Sequence, residues 1–143
     1  MAVCTFFGHR DVPNDVDKKL ISVLTKLIEQ NGVNVFYVGN EGAFDKMVRR
    51  VLNDLSKKYP NIRYSVVLAY RPANNRKYDD LSDTVYPEEL ATCHKKFAIN
   101  KRNELLIKKS DMVVCYVKYS TGGANFYTKL ALQNGKEIIN LAE

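Results

Sequence analysis

Three apolar runs in this chain each stop at a glycine and give way to a helical pattern. Residues 3–7 run into Gly8-His9-Arg10, residues 33–38 into Gly39-Asn40-Glu41-Gly42, and residues 112–117 into Ser120-Thr121-Gly122-Gly123. Near-continuous apolar runs of this length are what a parallel sheet covered on both faces requires of its strands. A buried strand that ends in glycine and restarts as a helix lets a ligand approach bare backbone. Unpaired N–H groups and the positive end of the helix dipole meet there, which suits phosphate or carboxylate. Three such loops on one edge predict one anion-binding crevice.

The rest of the chain fits the same alternation. Residues 14–30 read as an amphipathic helix with Leu20, Val23, Leu24, Leu27 and Ile28 on one face, capped by Asn14 and stopped at Asn31-Gly32. Residues 43–58, 97–109 and 124–134 read as three more helices, the last stopped at Gly135, and residues 62–69, 111–117 and 137–141 read as strands. Strands alternating with helices imply an α/β fold: a single Rossmann-like domain over residues 1–143, with a parallel sheet of about five strands and helices on both faces. Ligands of such folds bind outside the carboxyl ends of the strands, near the point where strand order reverses. Residues 70–87 are polar and long for a connection, so they are either a lid loop over that edge or a surface excursion.

Composition narrows the function classes. No apolar run approaches the ~20 residues of a membrane span, and the start of the chain lacks the basic flank and cleavage site of a signal peptide. We therefore expect a cytoplasmic protein without a membrane partner. Three cysteines are an odd count without metal-type spacing: Cys4 and Cys115 lie in predicted strands as apolar filler, and Cys93 beside His94 has no further ligands nearby. No metal, disulfide or cofactor is expected. A net charge of +6 favours nucleotides, nucleic acid or phosphorylated metabolites, unless it is only solvated lysine at Lys18-Lys19, Lys57-Lys58 and Lys108-Lys109.

Neither GxxxxGK[ST] nor GxGxxG is present. Gly122-Gly123, the Ser110-Asp111 pair and the earlier Asn100-Lys101-Arg102-Asn103, together with Gly8-His9-Arg10 and the loop 39–45, resemble the SLOG superfamily over nearly the whole chain. This Rossmann-like group includes the LOG (Lonely Guy) phosphoribohydrolases, the YspA-like proteins, in which an FxGHR start is characteristic, and the DNA-processing protein A core. The resemblance implies a nucleotide-like ligand and a role among bacterial signalling or phage-defence proteins. It also implies a homodimer, for which Phe126, Tyr127 and Leu130 are candidate contacts unless they are core. Arg102 matches an arginine that LOG enzymes carry at this distance before a Ser-Asp pair. Those enzymes also carry PGGxGTxxE, whose glutamate serves cleavage of the N-glycosidic bond. Here the run lacks the proline and third glycine, and Lys129 stands in place of the glutamate. Cleavage develops positive charge on the sugar, which a lysine opposes.

The candidate site follows from these loops. Glu41 is either a substitute nucleophile or stabiliser, or a solvated loop residue; with Arg102 it forms the candidate catalytic pair. Asp45 either meets the ligand or caps its helix. Arg10 either clamps phosphate bidentately or pairs with Asp11 or Asp45. His9 either donates to phosphate or packs on the neighbouring loop. Gly8, Gly39, Asn40, Gly42, Thr121, Gly122, Gly123 and Ala124 supply backbone, and Asn103 either offers an amide to a ribose hydroxyl or base edge or is only a polar residue on the helix surface. Tyr70 either stacks on a base or is partly buried packing at its strand end, Arg71 would close over phosphate, and Tyr86-Pro87 would be a second lid contact. Asp111, at the start of its strand, falls on the far edge. Three functions compete: binding of a nucleotide or nucleotide-derived signal such as an ADP-ribose-like molecule; N-glycosidic hydrolysis of a nucleoside monophosphate using Glu41; and, weakest, nucleic-acid binding, for which no basic-aromatic stripe is visible.

Overall fold

The computed structural model describes residues 2–71 and 83–143. The elements run β1 (Ala2–Gly8), α1 (Val16–Gln30), β2 (Val33–Val38), α2 (Gly42–Lys58), β3 (Arg63–Val67), β4 (Thr84–Val85), α3 (Ala98–Lys109), β5 (Met112–Tyr116), α4 (Gly123–Gln133) and β6 (Glu137–Asn140). Single 3-10 turns at Glu88–Leu90 and Lys95–Phe97 lead into α3. All strand pairs are parallel, in the order β4-β3-β2-β1-β5-β6. The fold is Rossmann-like α/β, as the alternation predicts.

The sheet has six strands rather than about five. The extra one, β4, lies inside the segment read from sequence as a long loop. It carries no apolar run. Polar contacts hold it instead: Val66 N–H donates to Asp83 O at 2.7 Å, Leu68 N–H donates to Val85 O at 2.8 Å, and Arg49 of α2 grips the Asp83 carboxylate through two nitrogens at 2.8 and 2.5 Å. The remaining residues of the expected lid, 72–82, lie outside the described residues. The start of α1 also differs. Asn14 does not cap it; the helix begins at Val16 after Asp15, with no side-chain cap. The carbonyls of Pro13 and Asn14 accept from Val16 and Asp17 at 3.2 and 3.4 Å, so a backbone turn does the work of the expected side chain.

Alternation along each strand builds two cores. Cys4, Phe6, Phe36, Val38 and Val114 face α1 and α2, where Leu20, Leu24, Phe44, Val48 and Leu52 pack. Phe7, Val67, Val113 and Cys115 face α3 and α4, packing on Leu106, Ile107, Tyr127 and Ala131. Each buried large apolar side chain contributes about 1.5–3 kcal/mol. β1 thus feeds a helix on one face and its neighbour β5 feeds a helix on the other. Their connections leave in opposite directions and open a gap at the carboxyl edge between them. Asp111 lies at the opposite edge, where its carboxylate accepts from Val3 N–H at 2.8 Å and its own N–H donates to Val3 O at 2.8 Å.

Candidate functional site

A crevice of about 450 Å³ opens at the gap between β1 and β5. The end of β1 and its loop supply Phe6, Phe7, Gly8, His9 and Arg10; the β2 loop and α2 supply Gly39, Glu41 and Asp45. One face of α3 supplies Ile99, Asn100, Arg102, Asn103 and Leu106, and the start of α4 supplies Gly122, Gly123, Ala124 and Tyr127. Most of the residues singled out in the sequence converge here. Asn40 and Gly42 lie beside this lining but outside it, Thr121 lines a neighbouring hollow on α4, and neither Tyr70 nor Arg71 reaches the crevice. Arg71 instead stacks on Tyr86, its guanidinium 5.2 Å from the ring centroid. Tyr86 and Pro87 line a separate cavity under β3 and β4.

The three glycine loops do not offer the same backbone. A Cβ at Gly8 would lie 2.2 Å from the Phe44 ring, and one at Gly39 would lie 3.0 Å from Asp45 Oδ2 and 3.1 Å from Arg102 Cζ. Those glycines admit the protein's own side chains. Gly42, at φ +89°, packs against Arg10 Cα, and the start of α2 is already bonded: Ala43 N–H donates to Arg10 O at 2.8 Å, and Glu41 N–H donates to Asp45 Oδ2 at 2.8 Å. Asp45 therefore does cap α2. The β1 and β2 loops therefore do not present the bare amide cradles expected of them. Gly122 (φ +96°) and Gly123 have no atom within 4 Å of where a Cβ would stand, and α4 has no side-chain cap. Gly122, Gly123 and Ala124 at the start of α4 line the crevice.

Arg102 is buried, 2% exposed, under Gly39. Its Nη1 donates to Val67 O at 3.0 Å, its Nε donates to Asn103 Oδ1 at 2.8 Å, and its Nη2 lies 3.8 Å from Glu41 Oε1. Burial lowers its pKa, while Asp45 and Glu41 oppose that shift. The guanidinium thus ties β3, α3 and the β2 loop together, and it holds Glu41 at the crevice wall. Asp45 is itself buried. Loss of water raises its carboxyl from 3.8 to about 6, against the Glu41 N–H and Arg102, which favour ionisation.

His9 sits on the crevice but is turned to its neighbour loop. Its Nε2 accepts from Lys118 N–H at 3.0 Å and Tyr119 N–H at 3.3 Å, and its ring packs on Tyr116 and Tyr119. With Nε2 occupied, only the opposite ring nitrogen remains for a ligand. Arg10 is exposed and has no carboxylate within ion-pair distance among the described residues, so the expected pairing with Asp11 or Asp45 is absent there. Sequence reasoning missed Asn100 and Tyr127 as crevice residues. The spacing of Asn100 and Asn103, three apart on one helical face, was the available signal. Tyr127 is buried against Phe7, with ring centroids 5.7 Å apart, so it is unavailable as a dimer contact; Phe126 beside it is exposed and Leu130 half-buried. The exposed aromatic side chains Tyr70, Phe97, Tyr119 and Phe126 all follow strands β3 or β5 or begin α3 or α4, on this same edge of the sheet.

Cys4 and Cys115 are buried filler, as expected, and burial pushes the Cys115 thiol up to about 11. Among the described residues no helix is long and apolar enough to cross a membrane. Fold and site together define an open, doubly wound α/β protein with a crevice of mixed apolar and charged lining at its strand-order reversal. The chain matches no protein-family model and no curated protein sequence.

Proposed function

We propose that this protein binds a nucleotide or nucleotide-derived small molecule in the β1–β5 crevice, with a phosphate at the start of α4 and the sugar toward Glu41 and Asp45. One observation carries this reading: among the described residues the start of α4 has no side-chain cap and is sterically open at Gly122 and Gly123, on a crevice that also holds Arg10, a cation with no carboxylate partner among them. Backbone N–H groups at a helix start plus a guanidinium favour a doubly charged oxyanion. The opposite wall carries two carboxylates, which repel phosphate but accept from sugar hydroxyls. A volume of about 450 Å³ is within the range of small-molecule sites, about 300–1,000 Å³. The resemblance to the SLOG superfamily supports the same assignment, and with it a homodimer built through α4, where Phe126 is 60% exposed.

A second reading is N-glycosidic hydrolysis. The Glu41 carboxylate lines the crevice and is held near Arg102, which keeps it available to stabilise positive charge on a ribosyl ring.

The test is a thermal-unfolding panel of nucleoside monophosphates, ADP-ribose and NAD, with chromatography of each mixture for free base. A bound ligand at about a hundredfold its Kd adds about 2.7 kcal/mol and raises Tm by several degrees. A shift without released base supports binding alone. Released base that Glu41→Gln abolishes supports hydrolysis. The absence of any shift across the panel overturns the nucleotide reading.

A further inference from the structure

A six-stranded sheet needs cover on both faces, and the two faces of this one are covered unequally. From the first face α1 and α2 pack on β1, β2 and β3. From the second, α4 packs on β1, β5 and β6, while α3 packs on β1 and on the 3-10 turns before it. Over β3 and β4 the second face is roofed, among the described residues, by one side of α3 and by residues 86–89, and a cavity of about 350 Å³ stays open beneath them. That volume is at the small end of ligand sites, about 300–1,000 Å³. The cavity shares one residue, Leu106, with the crevice.

Strand register sets the floor of this cavity. Tyr37 of β2 stands opposite Ser65 of β3, and Val67 of β3 stands opposite Val85 of β4, so these four side chains share one face of the sheet. Leu105 and Leu106 of α3 line the other side. The Tyr37 and Ser65 hydroxyls, neighbours in an otherwise aliphatic hollow, have no hydrogen-bond partner among the described residues. They are polar groups that the packing does not use, and a hydroxyl both donates and accepts. The exposed residues of the lining are Glu88, Glu89 and Lys109, which mark its mouth. Lys109 Nζ lies 3.8 Å from Glu89 Oε2, and Glu88 has no cation within ion-pair distance among the described residues. The mouth therefore carries one uncompensated negative charge. We propose that this cavity is a second ligand site, separate from the crevice, for a small amine with an apolar body: the ammonium pairs with Glu88 at the mouth, the body lies on Val67, Val85 and the α3 leucines, and a hydroxyl at the far end bonds Tyr37 and Ser65. The two sites then select opposite charges, and neither reading depends on the other.

The experiment is an amide-resolved NMR titration of the full chain with three probes of one shape. Tyramine has the ammonium and the far hydroxyl, phenethylamine lacks the hydroxyl, and 3-(4-hydroxyphenyl)propionate puts a carboxylate in place of the ammonium. We expect tyramine to bind with a Kd of about 1 mM, shifting the amides of Ser65, Val85 and Glu88 and leaving those of Gly122 and Gly123 in place. Phenethylamine should bind about threefold more weakly, and the carboxylate probe about fivefold or more. Ser65→Leu fills the floor and should weaken tyramine by about tenfold or more. Glu88→Gln, at an exposed position, should weaken tyramine by about two- to fivefold and leave the carboxylate probe no weaker. Circular dichroism checks that each variant is folded; if Ser65→Leu is not, Glu88→Gln and the map of shifted amides decide. No tyramine binding up to about 10 mM, shifts centred on Gly122 and Gly123, or unchanged affinity in a folded Ser65→Leu overturns the site. A carboxylate probe that binds as tightly as tyramine, or a Glu88→Gln variant that binds tyramine as wild type does, overturns its preference for amines.

Discussion

Gly8 ends β1, Gly39 follows β2 directly and Gly122 comes some residues after β5, and each answers to a different neighbour. Phe44 needs the space at Gly8, Asp45 and Arg102 need it at Gly39, and at Gly122 none of the described residues fills it. The absence of a Cβ reads identically in sequence whether a side chain or a ligand uses the room. Asp45 shows the same ambiguity resolved. It caps α2 through the Glu41 N–H, faces Arg102 and Glu41, and is almost entirely out of water. Its folded-state pKa is raised, from 3.8 to about 6, so between those values the folded chain holds a proton that the unfolded chain has lost. Stability from this group is present below 3.8 and declines as pH rises through about 6. That shift corresponds to about 3 kcal/mol. Urea unfolding across pH, with wild type compared against Asp45→Asn, should show the wild-type advantage shrinking by up to that amount over the window and staying level above it. An advantage that grows with pH instead would mean that Arg102 outweighs desolvation.

Elements, more than residues, decide where the crevice walls stand. The β1 loop and the β5–α4 loop belong to opposite halves of the sheet, and His9 joins them by accepting two backbone N–H groups. Removing that acceptor leaves Lys118 and Tyr119 without a protein partner for these bonds. His9→Ala should cost about 1–2 kcal/mol in denaturant unfolding, and hydrogen exchange at Lys118 and Tyr119 should speed by about tenfold relative to the α1 amides. Unchanged exchange at both residues would show that the loop is held by other contacts. This bridge was only half legible in the sequence: a histidine after a strand is visible, but the nitrogen it turns inward is not. The strands and helices were largely legible because apolar period reports burial. It does not report pairing. Ile62 and Ala69 are buried and extend the apolar run, yet β3 spans only Arg63–Val67. Conversely β4 pairs without an apolar run, because Asp83 is anchored by Arg49. The start of α1 was hidden because the groups that hold it are backbone carbonyls, those of Pro13 and Asn14.

At the scale of the whole molecule the charge is +6, but its placement matters more than its sum. Lys18, Lys19, Lys57, Lys58, Lys108 and Lys109 are exposed on the outer parts of α1, α2 and α3. Within the crevice the cations Arg10 and Arg102 face the carboxylates Glu41 and Asp45, so the lining is close to balanced. A positive exterior attracts anions at long range, while among the described residues few cations line the crevice. This separates a small ligand from a single strand of nucleic acid, which the exposed rings Tyr70, Phe97, Tyr119 and Phe126 would otherwise suit. Each phosphate neutralised on a single strand contributes a slope of about −0.7 to log K against log salt. Raising salt from about 50 to 200 mM should therefore weaken a mononucleotide held by one or two cations by less than about tenfold, whereas an oligonucleotide spanning six contacts would lose about 300-fold. Titrations of the same protein with a mononucleotide and a twelve-residue oligonucleotide at both salt concentrations decide the matter. Shallow dependence for the mononucleotide, with no tighter oligonucleotide binding at low salt, is the expected result. A steep loss confined to an oligonucleotide that binds far more tightly would place the ligand along the aromatic rim instead of inside the crevice.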